Sequence, residues 1–295
     1  MKYLYYPGCS LEGTALEYNL STLAFMKAAG ADLEEIENWT CCGASAAESV
    51  SRLLSLSLSA RNLALAEKMN GSREILVPCS ACYLNLKKTV EAVRTDSDLL
   101  NKLNIILGEE DLKLTGIVRV RHLLDIVSRD IGPVVLKNLK KKSFAGFSIA
   151  PYYGCQCIRP FKVFDDPEKP FSMEPLIKAA DADVHQWSMG GRCCGASNMN
   201  TKMDIGIELV TAILRGAKGA DAIVTVCPMC QINLEAYQKI ISKKCGVDLH
   251  ITVLYLPQFL GMVIGLSEKD LRLDLNLSVT DEFRQKLKDH LQISF

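Results

Sequence analysis

Two stretches of the chain share one design, Glu74-Ile75-Leu76-Val77-Pro78-Cys79-Ser80-Ala81-Cys82 and Ala222-Ile223-Val224-Thr225-Val226-Cys227-Pro228-Met229-Cys230. Each begins with a short apolar run and ends in a Cys-x-x-Cys motif, after which a helical pattern follows. A short apolar run beside a helix is typical of a buried strand in a parallel sheet. We therefore expect both cysteine pairs just beyond the carboxyl end of a strand, where open α/β sheets bind their ligands.

The similarity continues in both directions along the chain and in the same order, which indicates an internal duplication. The further matched segments are Cys9 with Cys155, Cys41-Cys42-Gly43-Ala44-Ser45 with Cys193-Cys194-Gly195-Ala196-Ser197, and Val118–Gly132 with Ile251–Gly265. The sequence predicts an α/β fold of two duplicated, Rossmann-like domains with parallel-rich sheets. We place the first domain at residues 1–136, a solvated linker at 137–145 and the second domain at 146–295. Each domain is expected to have its own hydrophobic core.

Helices are predicted after the first strand and after both adjacent cysteine pairs. Thr14 and Glu17 form a capping-box pattern that predicts the start of the first helix. The residues predicted to form the apolar faces are Leu16, Leu20 and Leu23 in the first helix, Val50, Leu54 and Leu58 after the first cysteine pair, and Met203, Ile207, Val210 and Leu214 after the second.

Charge and hydropathy exclude several classes of function. Lys plus Arg and Asp plus Glu both total 34, so the chain has no net charge with which to attract nucleic acid. The N-terminus lacks a signal-like apolar segment, and the longest apolar run, 251–266, is too short and too interrupted for a transmembrane segment. We therefore expect a cytoplasmic protein. In that reducing compartment the 12 cysteines are better explained as metal ligands or redox thiols than as disulfides.

Ten cysteines form two sets with the same order: one cysteine after a strand, an adjacent pair, and a Cys-x-x-Cys motif. The first cysteine set is Cys9, Cys41, Cys42, Cys79 and Cys82; the second cysteine set is Cys155, Cys193, Cys194, Cys227 and Cys230. A structural zinc ion takes four ligands and would leave one thiolate over, whereas an iron–sulfur cluster of unusual shape could use all five. Zinc in one half is the alternative.

This pattern resembles the CCG signature of the family of heterodisulfide reductase B subunits over almost the whole chain. The resemblance implies two CCG domains in which each cysteine set holds a noncubane [4Fe-4S] cluster, and a small-molecule disulfide that is reduced between the two clusters. The sequence has no flavin or nicotinamide fingerprint. The implied partners are therefore a ferredoxin-like iron–sulfur C subunit and a flavoprotein A subunit, which would supply the electrons.

Relatives with this signature also serve in other redox complexes, such as that of benzoyl-CoA reductase. An electron-transfer subunit without a disulfide substrate is therefore the alternative function. If an approximate two-fold axis relates the halves, we expect the two Cys-Cys-Gly loops to face each other across the interface and to line the substrate cavity together.

One arginine, two histidines and two further cysteines lie outside the ten-cysteine pattern. Arg159 follows Cys155 closely in sequence and could contact an anionic substrate, although a surface ion pair is an equal alternative. His122 and His185 are more typical of hydrogen-bonded core or edge histidines than of proton donors. Cys157 is expected to be a buried apolar residue and Cys245 a free surface thiol, so neither is assigned as a ligand.

Overall fold

The structure is a computed structural model that describes residues 1–44, 47–69 and 71–293. Ser45, the last residue of the first Cys-Cys-Gly-Ala-Ser motif, and residues 294–295 of the second predicted domain lie outside the described residues. Strands and helices alternate along most of the chain, as the apolar patterns predict. The elements of the first half are β1 (Lys2–Tyr5), α1 (Cys9–Glu12), α2 (Leu16–Ala28), β2 (Asp32–Glu35), α3 (Ala47–Val50), α4 (Arg52–Lys68), β3 (Glu74–Val77), α5 (Ser80–Thr95), α6 (Ser97–Leu107), β4 (Arg119–His122), α7 (Leu123–Ile126) and α8 (Gly132–Leu139).

The second half repeats this order with shorter connections. Its elements are β5 (Ser148–Tyr152), α9 (Glu174–Ala179), β6 (Asp183–Val184), α10 (Met203–Gly216), β7 (Ala222–Thr225), α11 (Pro228–Ala236), α12 (Gln238–Cys245), β8 (Thr252–Tyr255), α13 (Leu256–Val263), α14 (Glu268–Leu271) and α15 (Asp281–Leu291). Short 3-10 turns cover Gly108–Glu110, Ala196–Asn198 and Leu273–Leu275, and a π-helical turn covers Val127–Ile131.

Each half contains a parallel sheet of four strands in the described part of the chain. The strand orders are β2-β1-β3-β4 and β6-β5-β7-β8, so the two sheets have the same topology. The pairing register is also the same, because Val77 lies opposite His122 in the first sheet and Thr225 lies opposite Tyr255 in the second. The predicted fold, two duplicated α/β units with parallel sheets, is confirmed.

Equivalent helices of the two halves each pack against the opposite half. Helix α2 of the first half packs on α13 and α14 of the second, and α9, the equivalent of α2, packs on α8, the equivalent of α14. Ring pairs repeat this relation: Tyr18 stacks on Tyr255 with centroids 3.9 Å apart, and Phe164 stacks on His122 at 6.2 Å. Tyr18 and Phe164 each lie nine residues after the first cysteine of their set. An approximate two-fold axis therefore passes through this contact surface, which we call the seam.

The main hydrophobic core crosses the seam. One cluster of buried side chains includes Leu4 and Leu76 from the first sheet together with Ile149, Leu254 and Phe259 from the second half, and a smaller cluster lies wholly within the second half. The expectation that each domain has a core of its own is therefore wrong for the first half. The physical reason is that α2, α8, α9 and α13 bury their apolar faces between the halves.

The faces of two helices differ from the prediction. Ala15 precedes α2 and no side chain caps this helix, so the capping box of Thr14 and Glu17 does not form. The buried face of α2 carries Tyr18, Phe25 and Met26, and the predicted leucine face is partly exposed. Similarly, the predicted face after the first cysteine pair is largely exposed, including Val50 at 75% and Leu54 at 44%. Both helices have apolar residues on several sides, so tertiary packing selects the buried face.

The corresponding face of α10 is confirmed for Ile207, Val210 and Leu214, which are buried, while Met203 at its start is exposed.

The predicted linker is not solvated throughout: it begins inside α8, and Phe144 is completely buried against Phe147 and Phe259. The division of the chain at this linker stays a prediction. Among the described residues, no helix is both long enough and apolar enough to cross a membrane.

Candidate metal centres

The first cysteine set lies beyond the carboxyl ends of three neighbouring strands. Cys9 begins α1 after β1, the Cys41-Cys42 pair follows β2, and Cys79 directly precedes α5 after β3. Cys82 lies one turn into α5. Because β2, β1 and β3 are adjacent and parallel, their carboxyl ends meet at one edge of the sheet. The sheet therefore brings together cysteines that are more than 70 residues apart in the chain.

The second cysteine set has the same arrangement. Cys155 follows β5, the Cys193-Cys194 pair follows β6, and Cys227 and Cys230 follow β7 at the start of α11. In both sets a member of the adjacent pair contacts the last cysteine of Cys-x-x-Cys. The sulfur of Cys42 is 3.4 Å from that of Cys82, and the sulfur of Cys194 is 3.5 Å from that of Cys230.

Backbone amides donate hydrogen bonds to the first sulfur of each adjacent cysteine pair. The amide of Gly43 donates to Sγ of Cys41 at 3.4 Å, and the amide of Gly195 donates to Sγ of Cys193 at 3.3 Å. Such hydrogen bonds stabilise a thiolate and tune the potential of an iron–sulfur centre. Each adjacent cysteine pair therefore carries its own thiolate-stabilising donor.

The thiols of each set perturb one another. Hydrogen bonds from Cys41 and Cys82 lower the pKa of Cys42 to about 4, and a hydrogen bond from Cys155 lowers the pKa of Cys193 to about 6. In contrast, hydrogen bonding to Cys42 and Cys79, together with burial, raises the pKa of Cys82. Crowded thiols of this kind cannot all ionise together, because like charges disfavour one another. A bound cationic centre would remove this conflict.

Two glycines leave room for the sulfur of the last cysteine in each Cys-x-x-Cys motif. Gly8 and Gly154 precede the first cysteine of each set and have positive φ angles of 77° and 68°. A Cβ on Gly8 would lie 2.8 Å from Sγ of Cys82, and a Cβ on Gly154 would lie 3.0 Å from Sγ of Cys230. A side chain at either position would therefore press on the sulfur behind it.

Buried polar side chains hold the Cys-Cys loops in place. Tyr6 donates to the carbonyl of Thr40 at 2.6 Å, and its equivalent Tyr152 donates to the carbonyl of Arg192 at 2.8 Å. These carbonyls directly precede the adjacent cysteine pairs. The sequence interpretation assigned no role to either tyrosine, although both belong to the duplicated Tyr-Tyr segments that open the two halves.

A second loop contact comes from paired asparagines. Asn85 donates to the carbonyl of Cys42 at 3.1 Å, and Asn233 donates to the carbonyl of Cys194 at 2.6 Å. The first loop has an additional donor, because the hydroxyl of Ser59 also reaches the carbonyl of Cys42 at 3.1 Å. Sequence reasoning missed these residues, yet both asparagines lie three residues after the last cysteine of Cys-x-x-Cys.

The two sets meet at the seam. Ser80, the residue after Cys79, donates at 3.3 Å to the carbonyl of Val226, the residue before Cys227, so the two Cys-x-x-Cys motifs lie side by side across it. The segments that meet there are the Cys-x-x-Cys motifs, whereas the sequence interpretation expected the Cys-Cys-Gly loops. Cys79 and Cys227 are buried, while Cys9, Cys41 and Cys193 are exposed. Each set therefore has an inner end at the seam and an outer end open to solvent.

A cavity flanks the outer end of each set. One, of about 490 Å³, is lined by Cys9 and by acidic residues, among them Glu12 and Glu35. The other, of about 470 Å³, is lined by Arg192 and by further basic and aromatic side chains, among them Lys169 and Trp187. The charged side chains of the first cavity are all acidic, whereas in the second cavity basic side chains outnumber the two glutamates, Glu168 and Glu174.

The donor set fits an iron–sulfur centre. Each set offers five sulfurs, one glycine that leaves room for a sulfur and a donor to a thiolate, which is the soft ligand chemistry that such centres use. The described residues include no group of three or more His, Cys, Asp or Glu side chains arranged around one ion-sized centre. The assignment of the ten ligands therefore stays a prediction, supported by donor chemistry and by the duplicated geometry.

Arg159 is engaged within the protein. Its guanidinium donates to the carbonyls of Gly191 and Pro167 and to Glu168, so it fastens the loop after Cys155 to the loop before Cys193. The ion pair predicted as the alternative is present, and a substrate contact stays a prediction.

The remaining thiols and histidines are largely as expected. Cys157 is buried and donates to the carbonyl of Tyr153 at 3.1 Å, whereas Cys245 is partly covered and contacts Arg215 at 3.4 Å. His122 is a buried, hydrogen-bonded core histidine, and His185 lies at the sheet edge with Nε2 3.0 Å from the carbonyl of Gly216.

Comparison with known proteins gives a family match in both halves. The model of the CCG family, described as a cysteine-rich domain, matches residues 3–87 and 149–235. The chain is 32% identical over 280 residues to the 8-methylmenaquinol:fumarate reductase membrane anchor subunit of Wolinella succinogenes, covering 94% of this chain and 96% of that protein. It is 28% identical to the B subunit of the ferredoxin/F(420)H(2)-dependent CoB-CoM heterodisulfide reductase of Methanosarcina acetivorans, covering 87% of each chain.

Another relative is a protein of Archaeoglobus profundus that is named for its likeness to the heterodisulfide reductase B subunit. It is 26% identical over 90% of this chain and 91% of its own length. Among solved structures, a hypothetical protein from Helicobacter pylori superimposes with a TM-score of 0.75 at 18% identity. That match covers 95% of this chain and 52% of the solved one, and it supports the fold alone. Because both halves match the family model and carry its cysteine pattern, the chain belongs to the CCG cysteine-rich domain family, which includes the B subunits of heterodisulfide reductases.

Proposed function

We propose that this chain is the iron–sulfur catalytic subunit of a heterodisulfide reductase-like oxidoreductase complex. Its ten paired cysteines would hold two noncubane [4Fe-4S] clusters that deliver electrons to a small-molecule disulfide. The observation that carries this proposal is the pair of equivalent five-cysteine sets whose Cys-x-x-Cys motifs meet at the seam, where Ser80 donates to the carbonyl of Val226. When bound, each cluster supplies one of the two electrons that reduction of a sulfur–sulfur bond requires.

The protein's own residues would position the site. Tyr6 and Asn85 fix the first Cys-Cys loop by hydrogen bonds to its carbonyls, and Tyr152 and Asn233 fix the second in the same way. Because these groups are buried and hydrogen-bonded, the sulfurs are held in place before any ligand binds. The exposed outer sulfurs leave a route for a substrate or an electron donor.

The basic cavity beside the second set supports an anionic disulfide as substrate. Lys169, Lys178 and Arg192 line it together with Glu168, which pairs with Arg159, and Glu174, so basic side chains outnumber acidic ones. Trp187 and Phe171 add aromatic surface to the same cavity. An excess of basic side chains in a cleft attracts anions and raises their local concentration. A disulfide that carries carboxylate, sulfonate or phosphate groups would therefore be preferred over a cationic one.

The proposed partners are a ferredoxin-like iron–sulfur subunit and a flavoprotein subunit, because electrons must enter from another chain. A cytoplasmic location is part of the proposal. The acidic cavity at Cys9, with Glu12 and Glu35, would suit a basic surface of such a partner.

An electron-transfer subunit without its own disulfide substrate is the second candidate. Two observations favour it: the 32% identity to the membrane anchor subunit of 8-methylmenaquinol:fumarate reductase, and exposed apolar side chains beside the first Cys-Cys loop. Val50, Leu53 and Leu54 are 75%, 39% and 44% exposed. In this role the exposed apolar side chains would contact another subunit or a membrane surface.

The test begins with anaerobic reconstitution and metal analysis. We expect about eight iron atoms per chain and about half of that in Cys42→Ala and in Cys194→Ala. Stoichiometric zinc with negligible iron would overturn the cluster assignment. Cys245→Ala is the matched control, and its iron content should be unchanged.

Turnover then separates the two candidate functions. The reconstituted protein is mixed with a reduced viologen dye and with an anionic or a cationic disulfide, and dye oxidation is followed. Reduction of the anionic disulfide, faster than that of the cationic one, supports the first candidate. Oxidation of a menaquinol analogue with no reduction of any disulfide supports the second. Substantial disulfide reduction by a variant with one cluster would overturn a joint role of both sets.

A further inference from the structure

The cavity of about 470 Å³ beside the second cysteine set is lined by two separate loops. One loop leads from Cys155 to α9 and contributes Phe171, and the other leads from β6 to Cys193 and contributes Trp187. Arg192, which directly precedes Cys193, also lines the cavity, and Cys193 itself is exposed. The cavity therefore adjoins the outer end of the second cysteine set.

Hydrogen bonds fix the first of these loops. The carboxylate of Asp165 accepts from the backbone amides of Phe171 at 2.9 Å and of Ser172 at 2.8 Å. Arg129 of the first half donates to the carbonyl of Phe164 at 3.1 Å. Phe171 is nevertheless 57% exposed. The loop therefore presents a large apolar side chain at a fixed position, which lowers the entropy cost of binding a ligand there.

The second loop holds Trp187 in a fixed position as well. Nε1 of Trp187 donates to the carbonyl of Pro151 at 3.1 Å, and its ring lies 6.1 Å from that of His185. A Cβ on Gly190 would lie 2.9 Å from the same carbonyl, so the loop can run this close to β5 only with a glycine there. Ligand cavities are typically lined by aromatic side chains with a few polar groups that fix the orientation. Phe171 and Trp187 supply the aromatic part.

The charged side chains of the cavity favour an anion. Its Lys, Arg and Glu side chains give a net charge of +2: Arg159, Lys169, Lys178 and Arg192 against Glu168 and Glu174. Arg159 and Glu168 neutralise each other in an ion pair at 2.9 Å. Lys169, Lys178 and Arg192 are exposed at the cavity. An anionic group is therefore attracted to this part of the cavity.

The loop that carries Phe171 is longer than its counterpart in the first half. Helix α2 begins seven residues after Cys9, whereas α9 begins 19 residues after Cys155. The residue that matches Arg192 is Thr40, which has no charge. The charged side chains of the cavity at Cys9 are acidic. A ligand with an anionic group is therefore recognised beside the second cysteine set and not beside the first.

We propose that this cavity binds one arm of the disulfide, an arm with a flat apolar body and a terminal anion. Phe171 and Trp187 contact the apolar body, and Lys169 and Arg192 hold the anion. An unsymmetrical disulfide with one such arm then binds in a single orientation, with the sulfur of that arm toward the second cysteine set. The identification of the ligand as a disulfide arm rests on the proposed function, whereas the binding site itself does not.

The test measures the binding of probes that have no thiol or disulfide group, so that they report binding alone. Isothermal titration calorimetry of the anaerobically reconstituted protein compares three of them. Naphthalenesulfonate has both features of the arm, whereas methanesulfonate has only the anion and naphthalenemethanol only the flat body. We expect one naphthalenesulfonate per chain, bound about tenfold more tightly than either of the other probes. Equal affinities for the three probes would overturn the inference.

Variants of exposed side chains assign the contacts without disturbing the fold. Phe171→Ala should remove the advantage of naphthalenesulfonate over methanesulfonate, and Lys169→Gln should weaken naphthalenesulfonate binding about three- to tenfold. Lys218→Gln, at an exposed lysine that does not line the cavity, is the matched control and should bind as the wild type does. With an anionic aromatic disulfide, Lys169→Gln should raise KM and leave kcat almost unchanged, because the arm is held equally in the substrate and in the transition state.

Fluorine NMR of protein labelled with fluorotryptophan locates the probe, because the two tryptophans lie at different cavities, Trp39 at the first and Trp187 at the second. Naphthalenesulfonate should shift the signal of Trp187, which Trp187→Phe assigns. A shift of the Trp39 signal alone, or unchanged affinity in both variants at full iron content, would overturn this inference and leave the cluster assignment intact. Protein that takes up no iron would overturn the proposed function instead, and binding of naphthalenesulfonate at Trp187 would still support the site.

Discussion

Tyr18 of the first half and Tyr255 of the second stack with ring planes 2° from parallel, and both are buried at the seam. Tyr18 also donates to the carbonyl of Pro78, the residue before Cys79. The contact between the halves and the position of the first Cys-x-x-Cys motif therefore depend on the same side chain.

We predict that the two halves unfold together. Tyr18→Ala should cost about 3–5 kcal/mol in the free energy of unfolding, because it leaves a cavity in the shared core. The two tryptophans lie in different halves, so Trp39→Phe and Trp187→Phe variants report one half each. Denaturation followed by fluorescence should show Tyr18→Ala shifting both midpoints equally. A shift of the Trp39 signal with no change at Trp187 would mean that the halves are independent.

Gly8 should be required for cluster binding for two reasons: its backbone conformation and its close approach to the Cys82 sulfur. Gly8 has φ 77° and ψ 159°, and Gly132 has the similar angles φ 69° and ψ 171°. A Cβ at Gly132 would meet no atom within 4 Å, whereas one at Gly8 would lie 2.8 Å from the Cys82 sulfur. Both alanine variants incur about 1–3 kcal/mol of backbone strain. Only Gly8→Ala should lose iron from the first set in anaerobic reconstitution, and equal iron contents would contradict the close approach.

Glu235 should make the protein less stable as the pH rises. Burial raises the pKa of Glu235 to about 8 from its ordinary 4.5. Below pH 4.5 both states are protonated; between 4.5 and 8 only the folded state holds the proton, so stability falls as pH rises, by about 1.4 kcal/mol per unit at most. Glu235→Gln retains an oxygen that can accept from Gln231 and Ser278.

The measurement is the free energy of unfolding between pH 5 and pH 9. Glu235→Gln should flatten the decline and be more stable than the wild type at pH 8, whereas the exposed Glu282→Gln should follow the wild type. Parallel curves for Glu235→Gln and the wild type would show that this carboxyl does not titrate in that range.

The paired asparagines should differ in importance. Asn233→Ala leaves the carbonyl of Cys194 without its side-chain donor and should cost about 1–3 kcal/mol. Asn85→Ala should cost less, because Ser59 still donates to the carbonyl of Cys42. Chemical denaturation of the metal-free proteins compares the two directly. An equal cost would mean that Ser59 does not compensate, and the double variant Ser59→Ala, Asn85→Ala then identifies its contribution.

Much of the architecture could be predicted locally. The apolar runs at 74–77 and 222–225 became β3 and β7, and the cysteines after them lie at the carboxyl ends of parallel strands as expected. The buried faces of α2 and α4 could not be predicted, because these helices carry apolar residues on several sides. Their hydrophobic periods do not specify which side meets the other half.

By itself, the sequence determined the duplication, the order of strands and helices and the two five-cysteine sets, because each depends on residues that are close in the chain or repeated along it. Only the tertiary structure decided that the Cys79 and Cys227 motifs lie side by side, that α2 packs on α13, and that Ser80 faces Val226. These contacts depend on how one sheet is oriented against the other. That orientation results from burying the core jointly between the halves, which no local pattern encodes.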